Sequence, residues 1–203
     1  MGNQGRFGKY GDIKRVERLR KARIRPDDNQ DKRGGPLRGV PGYGKKALQE
    51  VQVMVRRAKA SDGAYIRSLS KKVFEQYGDY EDMLPRWSLS DMTVTLLALK
   101  GKQAAGFAML GRVPHEGCSP RISELLAIAV EPESQGRGIG DFLMKEILQE
   151  AKAHEIGTLV LHTAVENVAG QRLFEKHGFG ESEIEKNFYP AGQDALVMYK
   201  DML

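Results

Sequence analysis

Apolar residues recur along the chain in two rhythms, and the switching between them predicts the order of elements from about residue 51 onward. Val51, Val53 and Val55 alternate with polar neighbours, the period of a half-buried strand. Asp62 stands where a helix cap is expected, ahead of Ile66, Leu69, Val73 and Phe74 at helical spacing. The stretch GDYEDMLPRWSLSD reads as a loop. Two short β patterns follow, 94–99 and 104–110, joined by Lys100, Gly101 and Lys102 as a hairpin turn, and a third, 123–130, runs on to Pro132. Phe142, Leu143, Ile147, Leu148 and Ala151 predict an amphipathic helix to about His154, closed by Gly157. A buried strand over 159–163, a helix over 168–177 ended by Gly178, and strands over 179–186 and 195–199 complete the pattern. The sum is an α+β domain with helices flanking one central sheet.

Before residue 49 neither rhythm is sustained. Residues 1–50 hold nine of the 23 glycines, and DDNQDKRGGPLRGVPGYGKK reads as turns and linker. These observations divide the chain into a basic, Gly-rich extension over 1–48 and a folded domain over 49–203. Within the extension, Asp12 could cap a short helix with Ile13, Val16, Leu19 and Ala22 on one face and basic residues on the others. Charge follows the same division, at +8 for residues 1–50 and −3 for 51–203. The extension is therefore either a solvated or packed appendage, or an electrostatic foot on nucleic acid, a ribosome or another acidic partner.

Composition removes several classes of function. With 40% hydrophobic and 29% charged residues and no apolar run of roughly 18 to 20, the sequence predicts no membrane span. MGNQGRFGKY has no secretory h-region, and Arg6 stands where myristoylation needs Ser or Thr, so a cytoplasmic location is expected. Cys118 has no partner for an internal disulfide, and with His115 it makes a lone H-x-x-C, too few ligands for zinc, so no metal is expected.

Chemistry concentrates in LLAIAVEPESQGRGIGDFLMKEIL, where a buried strand ends near a proline and three glycines at alternate positions lead into a helix. Gly136, Gly138 and Gly140 lack Cβ atoms, so N–H groups of the loop and first helical turn can approach an anion that the helix dipole favours. Gln135 adds a neutral hydrogen bond and Arg137 a positive charge; a pyrophosphate fits such a turn. A Walker A loop is excluded because Ile139, Gly140 and Asp141 stand where Lys-Ser/Thr is required. A Rossmann fingerprint fits poorly, since the loop follows a Glu-Pro-Glu-Ser spacer and has Asp141 and Phe142 near the third glycine's place.

Gln135-x-x-Gly138-x-Gly140 after Val130 and Pro132 resembles motif A of the GNAT N-acetyltransferase superfamily, and NVAGQRLFEKHGF from Asn167 resembles motif B. The final EKNFYPAGQDALVMYKDM is similar to the end of RimI-type protein N-acetyltransferases. The resemblance covers about 51–200 and implies a GNAT fold, a mixed and mostly antiparallel sheet splayed where acetyl-coenzyme A binds. It implies that backbone of Ile128, Ala129 and Val130 pairs with pantetheine, that Gln135, Gly136, Arg137, Gly138, Ile139 and Gly140 hold the pyrophosphate, and that Asn167 bonds the coenzyme's amide arm. An N-cap role for Asn167 is compatible with that. Phe174 occupies the place of the tyrosine in the family's Leu-Tyr-Glu, beside the cofactor.

The implied reaction moves acetyl to a primary amine. An α-amino group has a pKa near 8 and a lysine about 10.4, so a base must take a proton at neutral pH. Glu124, on the splayed strand, is one candidate, and its apolar neighbours would raise its pKa usefully. RimI-type enzymes place the base on the following strand, where this chain has His162, which a core histidine would explain equally. Phe174 cannot supply the proton that the family's tyrosine gives the leaving thiolate. Tyr189 is the substitute to consider, or else a pocket wall. By resemblance the amine site takes Tyr80, Glu81, Trp87 and Tyr189, with Asp79, Asp82 and Asp194 nearby, an acidic setting for a cationic amine. The expectation is an acetyl-CoA-dependent N-acetyltransferase acting on a protein N-terminus, a lysine or a small amine, as monomer or homodimer. The alternative is a catalytically weak acetyl-CoA-binding module whose basic extension binds nucleic acid or a ribosome.

Overall fold

The computed structural model describes residues 53–112 and 121–202. The basic helix foreseen near Asp12, the linker, His115 and Cys118 lie outside the described residues. The described part alternates as the rhythm of its side chains demands: β1 (Val53–Arg57), α1 (Gly63–Phe74), α2 (Tyr80–Trp87), β2 (Thr93–Lys100), β3 (Gln103–Gly111), β4 (Ile122–Val130), α3 (Ile139–Ala153), β5 (Thr158–Ala164), α4 (Val168–Lys176), β6 (Gly180–Glu185) and β7 (Ala195–Asp201). The strands form one sheet in the order β1-β2-β3-β4-β5-β7-β6. Neighbours are antiparallel except β4 and β5, which run parallel because α3 carries the chain back across the sheet between them.

Strand alternation sorts side chains between two cores. Leu96, Ala98, Leu110, Leu125, Leu159, Leu161 and Met198 pack with Leu143, Met144 and Ile147 of α3 and with Phe174 of α4. Leu97, Phe107, Met109, Ala127 and Ala129 pack with Ile66 and Leu69 of α1 and with Tyr80 and Leu84 of α2. Each fully buried aliphatic side chain contributes roughly 1.5–3 kcal/mol, so both helix layers are held chiefly by these stripes.

Three local expectations are corrected. The stretch from Gly78 to Asp91, read as a loop, contains α2. Tyr80, Met83, Leu84 and Trp87 recur at helical spacing and pack on the second core, and that burial overrides one proline in a two-turn helix. Asp62 occupies the cap position of α1 but makes no side-chain cap bond. Its carboxylate instead accepts from the Lys59 N–H at 2.7 Å and from both terminal nitrogens of Arg56 at 2.7 and 2.9 Å, closing the preceding turn. Helix α3 is not closed by Gly157: the chain turns at Glu155 (φ 55°), and the Gly157 N–H binds Arg121 O as β5 begins. The Gly101 turn and the left-handed Gly178 after α4 stand where the sequence puts them.

At α4 the Asn167 Oδ1 accepts the Gly170 N–H at 3.1 Å. A Cβ on Gly170 would lie 2.4 Å from Asn167 Nδ2. Gly170→Ala should therefore lower unfolding free energy by about 1 kcal/mol, although alanine is the better helix former. Urea denaturation reads this, and an unchanged midpoint would show that the cap tolerates a methyl group.

The Arg56 guanidinium holds the Asp62 carboxyl down to about 2 from its usual 3.8. Because the folded pKa is the lower one, the stabilisation is complete above about pH 4 and is lost as pH falls toward 2. Discounted for solvent screening of Arg56, it is worth about 1 kcal/mol at neutral pH. Asp62→Asn should remove that increment at pH 7 and change nothing near pH 2; an equal loss at both pH values would contradict it.

Candidate functional site

The sheet opens at its one parallel junction. β4 and β5 pair over four positions, from Ile122 with Thr158 to Leu125 with Leu161, and then separate. β5 stays paired with β7 to its last residue, Ala164 with Ala195, so β4 is the strand that departs. The departure coincides with a bulge: Met109 of β3 faces Ala127 while Leu110 faces Leu125, which leaves Leu126 as the extra residue. The bulge shifts the side-chain phase. Glu124 points away from the α3 layer, Leu125 toward it, and then Leu126 and Ala127 both join the α1/α2 core, with Ile128 and Val130 back on the α3 side. From Leu126 to Val130 the edge of β4 that faced β5 has no strand to bond among the described residues.

The glycine turn stands at the mouth of this fork. β4 runs through Glu131 and a single 3-10 turn, Pro132–Ser134, into Gln135–Gly138 and α3. Gly136 (φ 69°) and Gly138 (φ 83°) are left-handed, a conformation that costs side-chain-bearing residues about 1 kcal/mol or more. Nothing lies within 4 Å of where their Cβ atoms would stand, so that side of each glycine is open. The N–H groups of Gly136, Arg137 and Gly138 are given no acceptor by the described residues, and those of Ile139, Gly140 and Asp141 begin a helix, where no carbonyl precedes them. The Gln135 side chain donates to Val130 O at 3.2 Å, fastening the turn to the strand end. Asp141 draws Lys145, Lys176 and His177 to itself at 2.9, 2.6 and 2.9 Å, which ties α4 to the first turn of α3 and holds the aspartate well below the usual carboxylate range.

On the α1/α2 side of the fork, the two residues considered as rival bases form one unit. Glu124 and His162 stand on the adjoining parallel strands, and His162 Nδ1 lies 3.0 Å from Glu124 Oε1. Their side chains are 9% and 12% exposed, enough shielding to strengthen the contact well beyond a surface pair. Phe188 stacks flat on the imidazole, with centroids 4.3 Å apart and planes 8° apart, and fixes the ring's orientation. Glu185 Oε2 lies 3.7 Å from Nε2.

The remaining candidates are placed as follows. Tyr189 meets Phe188 edge-on at 5.0 Å and packs against Tyr77 at 4.8 Å and Tyr80 at 6.4 Å. Trp87 ends α2 against the second core, and Glu81 lies in that helix's first turn. Asp82 pairs with Arg67. Asp194 accepts from Lys186 at 2.6 Å and from the Asn187 N–H at 3.0 Å, so it shapes the β6–β7 hairpin, and these donors hold its carboxyl below the usual range. Asn167 caps α4 and also donates to Thr163 Oγ1 at 3.1 Å. Phe174 is 5% exposed and packs edge-on against Phe179 in the first core. Sequence reasoning passed over Tyr77, Phe188 and Glu185. The cross-strand register of β5, β7 and β6 puts Glu185 on the face of His162, a signal visible only once pairing is known.

Comparison with known proteins bears on the fold and the family. The profile of the acetyltransferase (GNAT) family matches residues 63–179. The [ribosomal protein bS18]-alanine N-acetyltransferase of Salmonella typhimurium is 38% identical over 77 residues, 36% of this chain and 52% of that protein, so the chain spans about half the length of this relative. Among solved structures, the ribosomal-protein-alanine N-acetyltransferase from Brucella melitensis superposes with a TM-score of 0.61 at 25% identity over 73% of this chain and 99% of its own. The yncA protein of Salmonella typhimurium, solved with its cofactor acetyl-CoA, has a TM-score of 0.63 at 19% identity over 74% of this chain and 94% of its own. A family match over more than half of the residues, running from α1 through the fork and the glycine turn to the end of α4, makes this chain a member of the acetyltransferase (GNAT) family.

Proposed function

We propose that the chain is an N-acetyltransferase that moves acetyl from acetyl-CoA to a primary amine, with a protein N-terminus as the acceptor class. The carrying observation is the fork itself, with an anion-ready turn at its mouth and a buried carboxylate–imidazole pair at its floor. The residues suit the coenzyme: the turn's N–H groups are open to a pyrophosphate, and the β4 edge from Leu126 to Val130 offers backbone donors and acceptors for pantetheine amides. The N-terminal acceptor follows the alanine N-acetyltransferases to which the chain is similar.

Acetyl-CoA supplies a thioester whose carbonyl carbon bonds the amine nitrogen as the carbon–sulfur bond breaks and the thiolate leaves. The chain's residues do the rest. A carboxylate at Glu124 can only accept, which favours a proton on His162 Nδ1. Nε2, which faces Glu185 Oε2 at 3.7 Å, would take the amine's proton, with Glu185 and Glu124 sharing the charge of the imidazolium. Glu124 then stabilises the imidazolium and holds the ring in place. Backbone N–H groups on the departing stretch of β4 stabilise the charge that grows on the carbonyl oxygen. A thiol pKa of about 8.5 makes the thiolate a tolerable leaving group without an acid at Phe174. Tyr189, braced by Tyr77, Tyr80 and Phe188, walls the acceptor pocket. An intact, shielded Glu124–His162 pair favours this reading over a binder that has lost catalysis. The basic extension over 1–48 would act separately, as an arm for an acidic partner.

Glu124→Gln and His162→Gln should each lower kcat in a thiol-release assay with N-terminal peptides by about 10²-fold or more, with the double variant little worse than either, since the two act as a unit. Full kcat in both single variants would place the base elsewhere. Gly140→Ala puts a Cβ 3.4 Å from Leu173, ordinary contact, so melting of the free protein should be unchanged while acetyl-CoA stabilises it less than it does the wild type. No melting shift of the wild type at millimolar acetyl-CoA would refute the proposal. Deleting residues 1–48 should leave turnover of a small amine intact; an unfolded remainder would refute the division at residue 48.

A further inference from the structure

The bulge at Leu126 lies where β4 leaves β5, and Gly111 of β3 sits against it. Gly111 ends β3 directly opposite Glu124, and it is buried. It is not among the glycines with positive φ, so conformational freedom does not explain it. Space does. A Cβ on Gly111 would lie 2.4 Å from Leu126 Cδ1, 2.7 Å from Cγ and 3.2 Å from Cδ2, which places the Leu126 side chain over the bare Cα of Gly111. Cγ is the branch point of that side chain, so it can yield only by rotating about χ1 out of its seat. Leu126 also packs at the margin of the α1/α2 core, so the seat is closed on that side as well.

We infer that Gly111 is a positioning residue for the fork: it seats the bulged Leu126, and through that contact sets the point where β4 departs and the direction in which Glu124 and the following backbone N–H groups face. This rests on the acetyl-transfer reading for its catalytic consequence, but not for its structural one. A bulge leaves one residue unpaired, so its position along a strand is set by side chains rather than by the ladder. Here a slip of the bulge toward Val130 would leave Leu126 on the α1/α2 face, turn Ala127 to the α3 face and move the open edge away from the Glu124–His162 pair. Neighbouring anchors limit any other adjustment: the Ser123 hydroxyl donates to Arg112 O at 3.0 Å, and Glu124 is held by His162. Gly111 pairs with Glu124 across the strands, but the three atoms nearest a Cβ on it all belong to Leu126, so a side chain here acts first through Leu126.

The test is a cycle of full-length variants, Gly111→Ala, Leu126→Ala and the two together. Each is measured for kcat, amine KM, acetyl-CoA-induced melting shift and amide hydrogen exchange over 122–130. Gly111→Ala should lower kcat about tenfold at an unchanged amine KM and speed exchange over 126–130, while the β2–β3 hairpin stays protected. Added to the Leu126→Ala variant, the same substitution should do nothing, because the atoms it strikes are gone. A kcat within twofold of wild type for Gly111→Ala, or an equal loss in both backgrounds, would overturn the inference. If Gly111→Ala does not fold, a double variant that folds and exchanges like Leu126→Ala supports the contact, and a double variant that also fails to fold refutes it. A wild type with no turnover on any amine sinks acetyl transfer alone, since the exchange measurements still decide whether Gly111 governs the bulge.

Discussion

Parallel strands can separate only where their backbone groups find other partners, and the molecule is organised around one such separation. Four paired positions between β4 and β5 are enough to keep the two strands in one sheet, and the loss of pairing after Leu125 leaves a stretch of polar backbone inside the domain. Unpaired buried amides cost on the order of 1–3 kcal/mol each, so an opening of this kind persists only where something rigid enforces it. The enforcement comes from both flanks. β3 holds β4 through the bulge, and β7 holds β5 to its end. The two helix layers then clamp the sheet from either face, each through its own core.

Glu124 and His162 meet at the edge of this opening. They are diagonal neighbours on the adjoining strands, two positions apart in register, a span of about 7–8 Å that a long side chain and a ring can bridge. Phe188, brought over the ring by the β6–β7 hairpin, completes a site drawn from three separate parts of the chain.

Much of this was legible in the sequence, and what was not has physical reasons. Strand and helix rhythms placed nearly every element, because both faces of the sheet are buried and the side-chain period is enforced throughout. The glycine turn was legible because Gly136 and Gly138 take backbone conformations that few other residues accept. Helix α2 was hidden because the local cost of Pro85 is outweighed by tertiary burial that no local pattern reports. The Glu124–His162 contact was hidden because it depends on register: each residue was a credible base alone, and only strand pairing showed one unit in place of two alternatives. The bulge left no mark at all, since Leu126 and Gly111 are ordinary strand residues until they are seen in contact.

The glycine turn has a consequence for how such a protein chooses its acyl donor. In the proposed reading its contacts are backbone N–H groups, which recognise charge and shape at the diphosphate end shared by every coenzyme A thioester, whatever acyl chain is carried at the other end. Grip and choice are thereby separated. Affinity can be high without the turn sensing the acyl chain, and the limit on chain length falls instead to the few side chains around the fork's floor, Leu126 and Phe188 among them. A single enlargement or reduction there could change the acyl group accepted while leaving the handle that holds the coenzyme untouched.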